Sequence, residues 1–206
     1  MALPSLPSGY DVTKHVRVKR TDCLLAVGFD REQRRIPRFL IQLHYQSDTE
    51  PIKWEEIARM DHNETAMLGH NVYREGLHVD ASRRTKSTVH LQLAHSPLPQ
   101  SRGTVIRACS DYLRREADYF IEVYEERIAP GSPPRWPDGG NLTPTFMYLR
   151  PVLPGMSHES PVEDALSDDD LTALLAEAEG TTPEAIERGA AELELSSPAE
   201  ATVTEE

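Results

Sequence analysis

The sequence predicts an α+β fold: an antiparallel four- to five-stranded meander with one long helix packed on one face, followed by a disordered acidic tail. Three observations carry this expectation. Hydrophobicity alternates with a period of two between Val16 and Leu93, switches once to a 3.6-residue period between Thr104 and Arg127, and gives way to acidic residues after about 150. With 206 residues, 38% of them hydrophobic and 27% charged, the chain has core material for one folded unit plus an appendage.

The first strand is expected from Val16 to Phe29, with a slip in its alternation at Thr21-Asp22. In the second, Phe39, Ile41, Leu43 and Tyr45 alternate with Arg38, Leu40, Gln42 and His44, as a half-buried strand requires. The third, Ile52 to His62, sets Ile52, Trp54, Ala58 and Met60 against Lys53, Glu55, Arg59 and Asp61. The fourth, Val72 to Asp80, sets Tyr73, Leu77 and Val79 against Arg74, His78 and Asp80, and the fifth sets Val89, Leu91 and Leu93 against Thr88, His90 and Gln92. Between Thr104 and Arg127, Val105, Cys109, Tyr112, Leu113, Phe120, Ile121 and Tyr124 recur three and four residues apart, a stripe wide enough to cover one sheet face. Pro130 to Pro134 stop that helix, and Thr145 to Val152 would make a final edge strand.

Division of the charge separates two regions. Residues 151–206 hold 15 of the 34 acidic residues and one of the 22 basic ones, so the tail carries −14 and residues 1–150 carry +2. A tail rich in Ala, Glu, Ser, Thr and Pro, without an aromatic residue, buries too little apolar surface to offset ordering costs of about 1–2 kcal/mol per residue. The expected division is therefore an α+β domain over 1–150 and a largely disordered tail over 151–206. Two nascent helices interrupt the tail: Ser167 and Asp170 form a start signal before Leu171, Leu174, Leu175 and Ala178, with Gly180 as the stop, and Thr182-Pro183-Glu184 opens a second run to Leu193. They would bind a protein partner, fold back on the domain, or simply solubilise the chain.

No run approaches the roughly 20 apolar residues of a membrane span, and the N-terminus lacks the pattern of a signal peptide, so the expectation is a cytoplasmic protein without membrane contact. Cys23 and Cys109 have no metal-ligand spacing. There is no phosphate-binding glycine loop and no nucleophile elbow.

If the helix seals the apolar side of the sheet, the chemistry belongs to the polar side. Six of the eight histidines fall between residues 44 and 95, and parity places His78 and Asp80 on one face with Asp61 reaching it from the next strand. Gly69 and Gly76 flank the segment, and His70 sits at the exit of the loop that precedes it. Three readings stay open. His78, Asp80, Asp61 and either His70 or His90 would ligate a divalent cation that activates water against a phosphodiester. His78 or His70 would act as a metal-free acid or base on RNA, with Arg59, Arg74, Arg83 and Arg84 on the phosphates. Or the face is polar and without chemistry.

The order Asp61-His62-Asn63, Gly69-His70, His78 resembles the Asp-Asn, Gly-x-His, His pattern of TumE-type proteins from toxin–antitoxin pairs, over about twenty residues and with a wider gap between the histidines. The resemblance implies a toxin acting inside the cell and held by an antitoxin, with His70 and His78 as functional residues. A toxin-like RNA-directed enzyme is thus one expectation, and a non-enzymatic interaction module acting through the tail helices is the other.

Overall fold

The computed structural model describes residues 3–49, 51–65, 70–93, 98–131, 134, 165–195 and 203–205. Six strands, β1 (Val12–Arg17), β2 (Cys23–Phe29), β3 (Arg38–Thr49), β4 (Ile52–Asn63), β5 (Leu77–Ala81) and β6 (Val89–Leu93), form an antiparallel meander in sequence order. A three-residue β7 (Val203–Glu205) pairs with β6. The α+β class and the meander agree with the sequence, but the sheet has more strands than the four to five expected. One reason is the segment 16–29, which is two strands, because the chain reverses where the alternation slips and Arg20 closes the turn on Asp22 at 2.8 Å. The expected edge strand at 145–152 and the expected division between 150 and 151 lie outside the described residues.

The helix side of the sheet carries Leu25, Val27, Phe39, Ile41, Leu43, Met60, Val79 and Leu91, all fully buried. On β4 the expected parity holds only after Ile57. Leu43 pairs with Ala58 but His44 pairs with Glu56, so Ile57 is a bulge residue. It turns Ile52 and Trp54 away from the face of Ala58 and Met60, and sends Glu56 to the polar face. The expected strand from Val72 begins only at Leu77. Asn71 caps a one-turn helix, α1 (Val72–Glu75), by accepting from the Tyr73 backbone N–H at 3.1 Å, which lifts Arg74 off the sheet into solvent.

The expected long helix is two, α2 (Arg102–Arg115) and α3 (Ala117–Tyr124), broken at Glu116. The break lets α2 lie over β3 while α3 turns toward β4 and β5. Tyr45 ties the layers together by donating to Glu125 Oε1 at 2.8 Å.

The tail departs further from expectation. Its two helices sit where the start and stop signals place them, α4 (Asp168–Glu179) behind a Ser167–Asp170 capping box and α5 (Pro183–Leu195) after Thr182, yet they are docked rather than nascent. Leu171, Leu175, Ala178, Ala190 and Leu193 join the main core against the outer side of α2. Leu166 donates to the His15 carbonyl at 2.9 Å and accepts from the Arg17 N–H at 3.0 Å, adding a bridge to β1. Glu179 accepts from the backbone N–H groups of Arg102 and Gly103 at 2.8 and 3.0 Å, capping the start of α2, and Asp168 pairs with Arg114. A disordered tail is therefore corrected for 165–195. The alanine-rich faces, too weak to order by themselves, gain a ready partner in α2. Among the described residues no helix is long and apolar enough to cross a membrane.

The polar side of the sheet is only half open. Residues 3–10 cross β2, where a Cβ on Gly28 would meet the Tyr10 ring at 3.0 Å and Pro7 at 3.1 Å, and the Pro4 carbonyl bonds His15 Nε2 at 2.9 Å. Arg38 lies 4.3 Å from the Tyr10 ring. This strap explains why every residue of β2 is buried. Beyond it, on β3, His44 is 7% exposed with no partner for Nε2 among the described residues. Burial, helped by the charge on His15, pulls its pKa down to about 4. The unfolded chain, with an ordinary imidazole near 6.5, thus takes up a proton first as pH falls. The contribution of His44 is full above about pH 6.5 and declines toward pH 4, by roughly 2–3 kcal/mol. His15, His62 and His78 are shifted the same way by burial and add to the slope. His44→Leu is expected to remove about one proton's share of the pH dependence, measured by urea unfolding at pH 4.5, 5.5 and 7; an unchanged slope would refute the assignment.

Candidate functional site

The open half of the polar face is built by β4, β5 and β6, and register decides its contents. Arg59 pairs with Asp80, Asp80 with His90 and His78 with Gln92, so these side chains share a face, and Asp61 shares it by parity along β4. Gly76 sets the entry to β5 with φ 82 and ψ 169, backbone that side-chain-bearing residues avoid, and a Cβ there would lie 2.8 Å from Gln92 Nε2. Gln92 Nε2 already donates to the carbonyls of Glu75 and Leu77 at 2.9 and 3.2 Å. Gly76→Ala is expected to cost about 1–3 kcal/mol in chemical denaturation. A loss below the error of the measurement would mean that the β5 entry is not held as described.

Three imidazoles meet here. The His78 and His90 ring centroids are 4.3 Å apart, those of His70 and His78 are 4.6 Å apart, and those of His70 and His90 are 6.2 Å apart. His78 is 2% exposed and its Nε2 has no partner among the described residues. Asp80 bonds His90 Nδ1 through Oδ1 at 2.9 Å and accepts from Arg59 Nε through Oδ2 at 3.1 Å. His70, on the rim, has Nδ1 3.3 Å from Glu75 Oε2.

The electrostatics follow from burial. Desolvation, reinforced by the neighbouring imidazoles, holds His78 below the ordinary histidine pKa despite Asp80 and Asp61. Burial would raise Asp80, but the His90 bond and Arg59 outweigh it and keep the carboxyl below its usual value. Glu56 is raised by burial against the pull of Gln42 and Arg59. The result is a neutral buried ring near an ionised carboxylate, and that carboxylate lines a cleft of about 250 Å³ together with Glu56, Arg59, Ser82, Thr88 and His90.

Of the residues singled out in the sequence, His70, His78, Asp80 and Arg59 come together. Asp61 shares the face but stands outside the group of three, His78, Asp80 and His90, whose ligand atoms lie within 4.8 Å of one another. Arg74 is on exposed α1. Arg83 is pinned to the Ser87 carbonyl at 2.7 Å, and Arg84 donates its backbone N–H to Tyr124 at the end of α3; neither lines the cleft. His62 is on the helix side, packed on Phe39 and accepting from the Val72 N–H at 3.3 Å through Nδ1, so it is a satisfied core histidine. Gly69 and His95 lie outside the described residues. Glu56 joins these residues although the sequence pattern does not point to it: parity along β6 already places His90 on this face, whereas Glu56 reaches the cleft only through the bulge.

A family model described as Domain of unknown function (DUF7718) matches residues 12–130, the span from β1 to just past α3. No curated protein and no solved structure matches the chain.

Proposed function

The chain belongs to the DUF7718 family, and since that family carries no assigned activity, we propose from the chain's own geometry that the cleft on β4–β6 cleaves RNA phosphodiesters. The observation that carries this reading is the contact of three imidazoles with one another, one of them, His90, bonded to a carboxylate that Arg59 also holds. RNA suits such a site because its 2′-hydroxyl is an internal nucleophile: cleavage needs one group to take a proton, another to return one, and a cation on the phosphate. His70 at the rim and His90 at the cleft are the accessible proton carriers, with side chains 44% and 22% exposed. Asp80 is a positioning residue, and Arg59, 46% exposed and reaching Asp80 through Nε, supplies the phosphate contact.

A toxin-like role inside a cell fits this activity and the resemblance at about residues 61–80. The alternative, an interaction module acting through the tail helices, has less support, because Leu171, Leu175 and Leu193 are already buried on the domain. The test is purified full-length chain incubated with structured RNA, with products resolved by length and end chemistry, alongside induced expression scored for growth arrest. Cleavage abolished by His90→Ala supports the reading; intact RNA at high enzyme concentration, across neutral pH and with divalent cations supplied, sinks it.

A further inference from the structure

We propose that His78, Asp80 and His90 form a three-ligand site for a divalent transition cation, with the His70 imidazole as its neighbour. Two independent observations carry it. One ligand atom from each residue lies within 4.8 Å of the others, so side-chain adjustments of about 1 Å would bring them to the separation of about 3.4 Å that bonds of about 2.1 Å impose around a tetrahedral ion. The second is the orphaned Nε2 of His78. A ring nitrogen on a side chain 2% exposed, without a hydrogen-bond partner among the described residues, is a standing cost that a bound cation removes.

Charge points the same way. Glu56, Asp61 and Asp80 share this face with Arg59, whose Nε is already engaged by Asp80, and with Arg38 on β3, which is held by Asp30. A phosphate approaching that surface meets an excess of carboxylates, and an ion on the inner cluster reverses the local sign. Two imidazoles and one carboxylate favour zinc, manganese or iron over the all-oxygen shells that magnesium and calcium prefer. Three protein ligands would leave a position for water or a phosphate oxygen, and His70, its ring 4.6 Å from that of His78 and its Nδ1 on Glu75, is a further imidazole beside the cluster. With an ion bound, His90 would give up the proton-carrier role it has in the metal-free cleft and serve as a ligand, leaving the proton traffic to His70 and a bound water.

The inference deepens the reading of the same cleft and rests on it for what the ion does, while binding itself is measured without RNA. Chelator-treated full-length protein is titrated by calorimetry with zinc chloride, manganese chloride and magnesium chloride. The expected result is one zinc or manganese ion per chain, magnesium binding at least 100-fold weaker, and a loss of 10-fold or more in Asp80→Asn and in His90→Gln, both of which conserve size. Cobalt(II) gives a second readout, visible absorption bands of a low-coordinate site that vanish in the same variants. Binding unchanged by both substitutions, or absent in a protein that shows a cooperative unfolding transition, overturns the proposal. Binding without any RNA cleavage overturns the activity and keeps the cation site; cleavage undiminished in chelator does the reverse.

Discussion

Removal of residues 151–206 is expected to abolish the cooperative unfolding transition of the full-length chain, leaving a protein that aggregates or melts without a sharp midpoint. The reason is the second layer on α2. Leu171 and Leu175 are fully buried, Ile186 and Leu193 nearly so, and truncation would expose both these contacts and the part of α2 beneath them. It also removes the Glu179 carboxylate from the start of α2, the Asp168 partner of Arg114 and the Leu166 bridge to β1. Buried leucines replaced by alanine cost about 2–5 kcal/mol each, against a total of about 5–15 kcal/mol for a domain. Leu171→Ala and Leu175→Ala in the full chain are thus each expected to lower stability by several kcal/mol, read as a drop in urea midpoint. A truncated chain that unfolds cooperatively at the parent midpoint would show that the layer is dispensable.

The same layer shows where sequence reasoning reached and where it stopped. The stop at Gly180 and the cap at Ser167 are local signals and sit where they were expected. Whether such helices stay folded depends on a partner surface, and that information lay in α2, not in the tail. Gly103, Thr104, Ala108 and Ser110 are buried along with Val105, Cys109 and Tyr112, so α2 is covered on more than the side that meets the sheet. Small residues flanking the main stripe mark such a two-sided helix, but a hydrophobicity count gives them little weight. β2 was obscured for a related reason: under the strap it is buried on both faces, and Cys23-Leu24-Leu25-Ala26-Val27 shows no alternation to follow.

The candidate site was legible where pairing is regular and hidden where it is not. On β5 and β6 the alternation runs without interruption, so His78, Asp80 and His90 could be placed on one face from the sequence. On β4 the bulge at Ile57 reverses the parity, and Glu56 enters the cleft from a position that alternation assigns to the opposite side. The arginines failed differently. Charge alone does not say whether a side chain lies on a strand, a one-turn helix or a loop, and Arg74, Arg83 and Arg84 are carried away from the cleft by the Asn71 cap and the β5–β6 loop.

Asp80→Asn is expected to lower the kcat of RNA cleavage by about 10²–10⁴-fold with little change in KM. The carboxylate joins the two halves of the site: one oxygen holds His90 and the other holds Arg59, and its negative charge is favoured there over the neutral form. An amide of the same size carries no charge, and it keeps both contacts only by accepting from Arg59 through Oδ1 while donating Nδ2–H to His90 Nδ1, which forces His90 into the opposite tautomer. Arg59→Gln should divide differently, raising KM about 10-fold with a smaller effect on kcat, since it removes a phosphate contact while leaving the imidazoles in place. Asp61→Asn is the internal control: Asp61 shares the sheet face but stands outside the three-residue group, and a change of less than about 3-fold is expected. Steady-state cleavage of a short fluorescent RNA measures all three. Equal losses in Asp61→Asn and Asp80→Asn would mean that the face acts only through its total charge, and the assigned roles would fall.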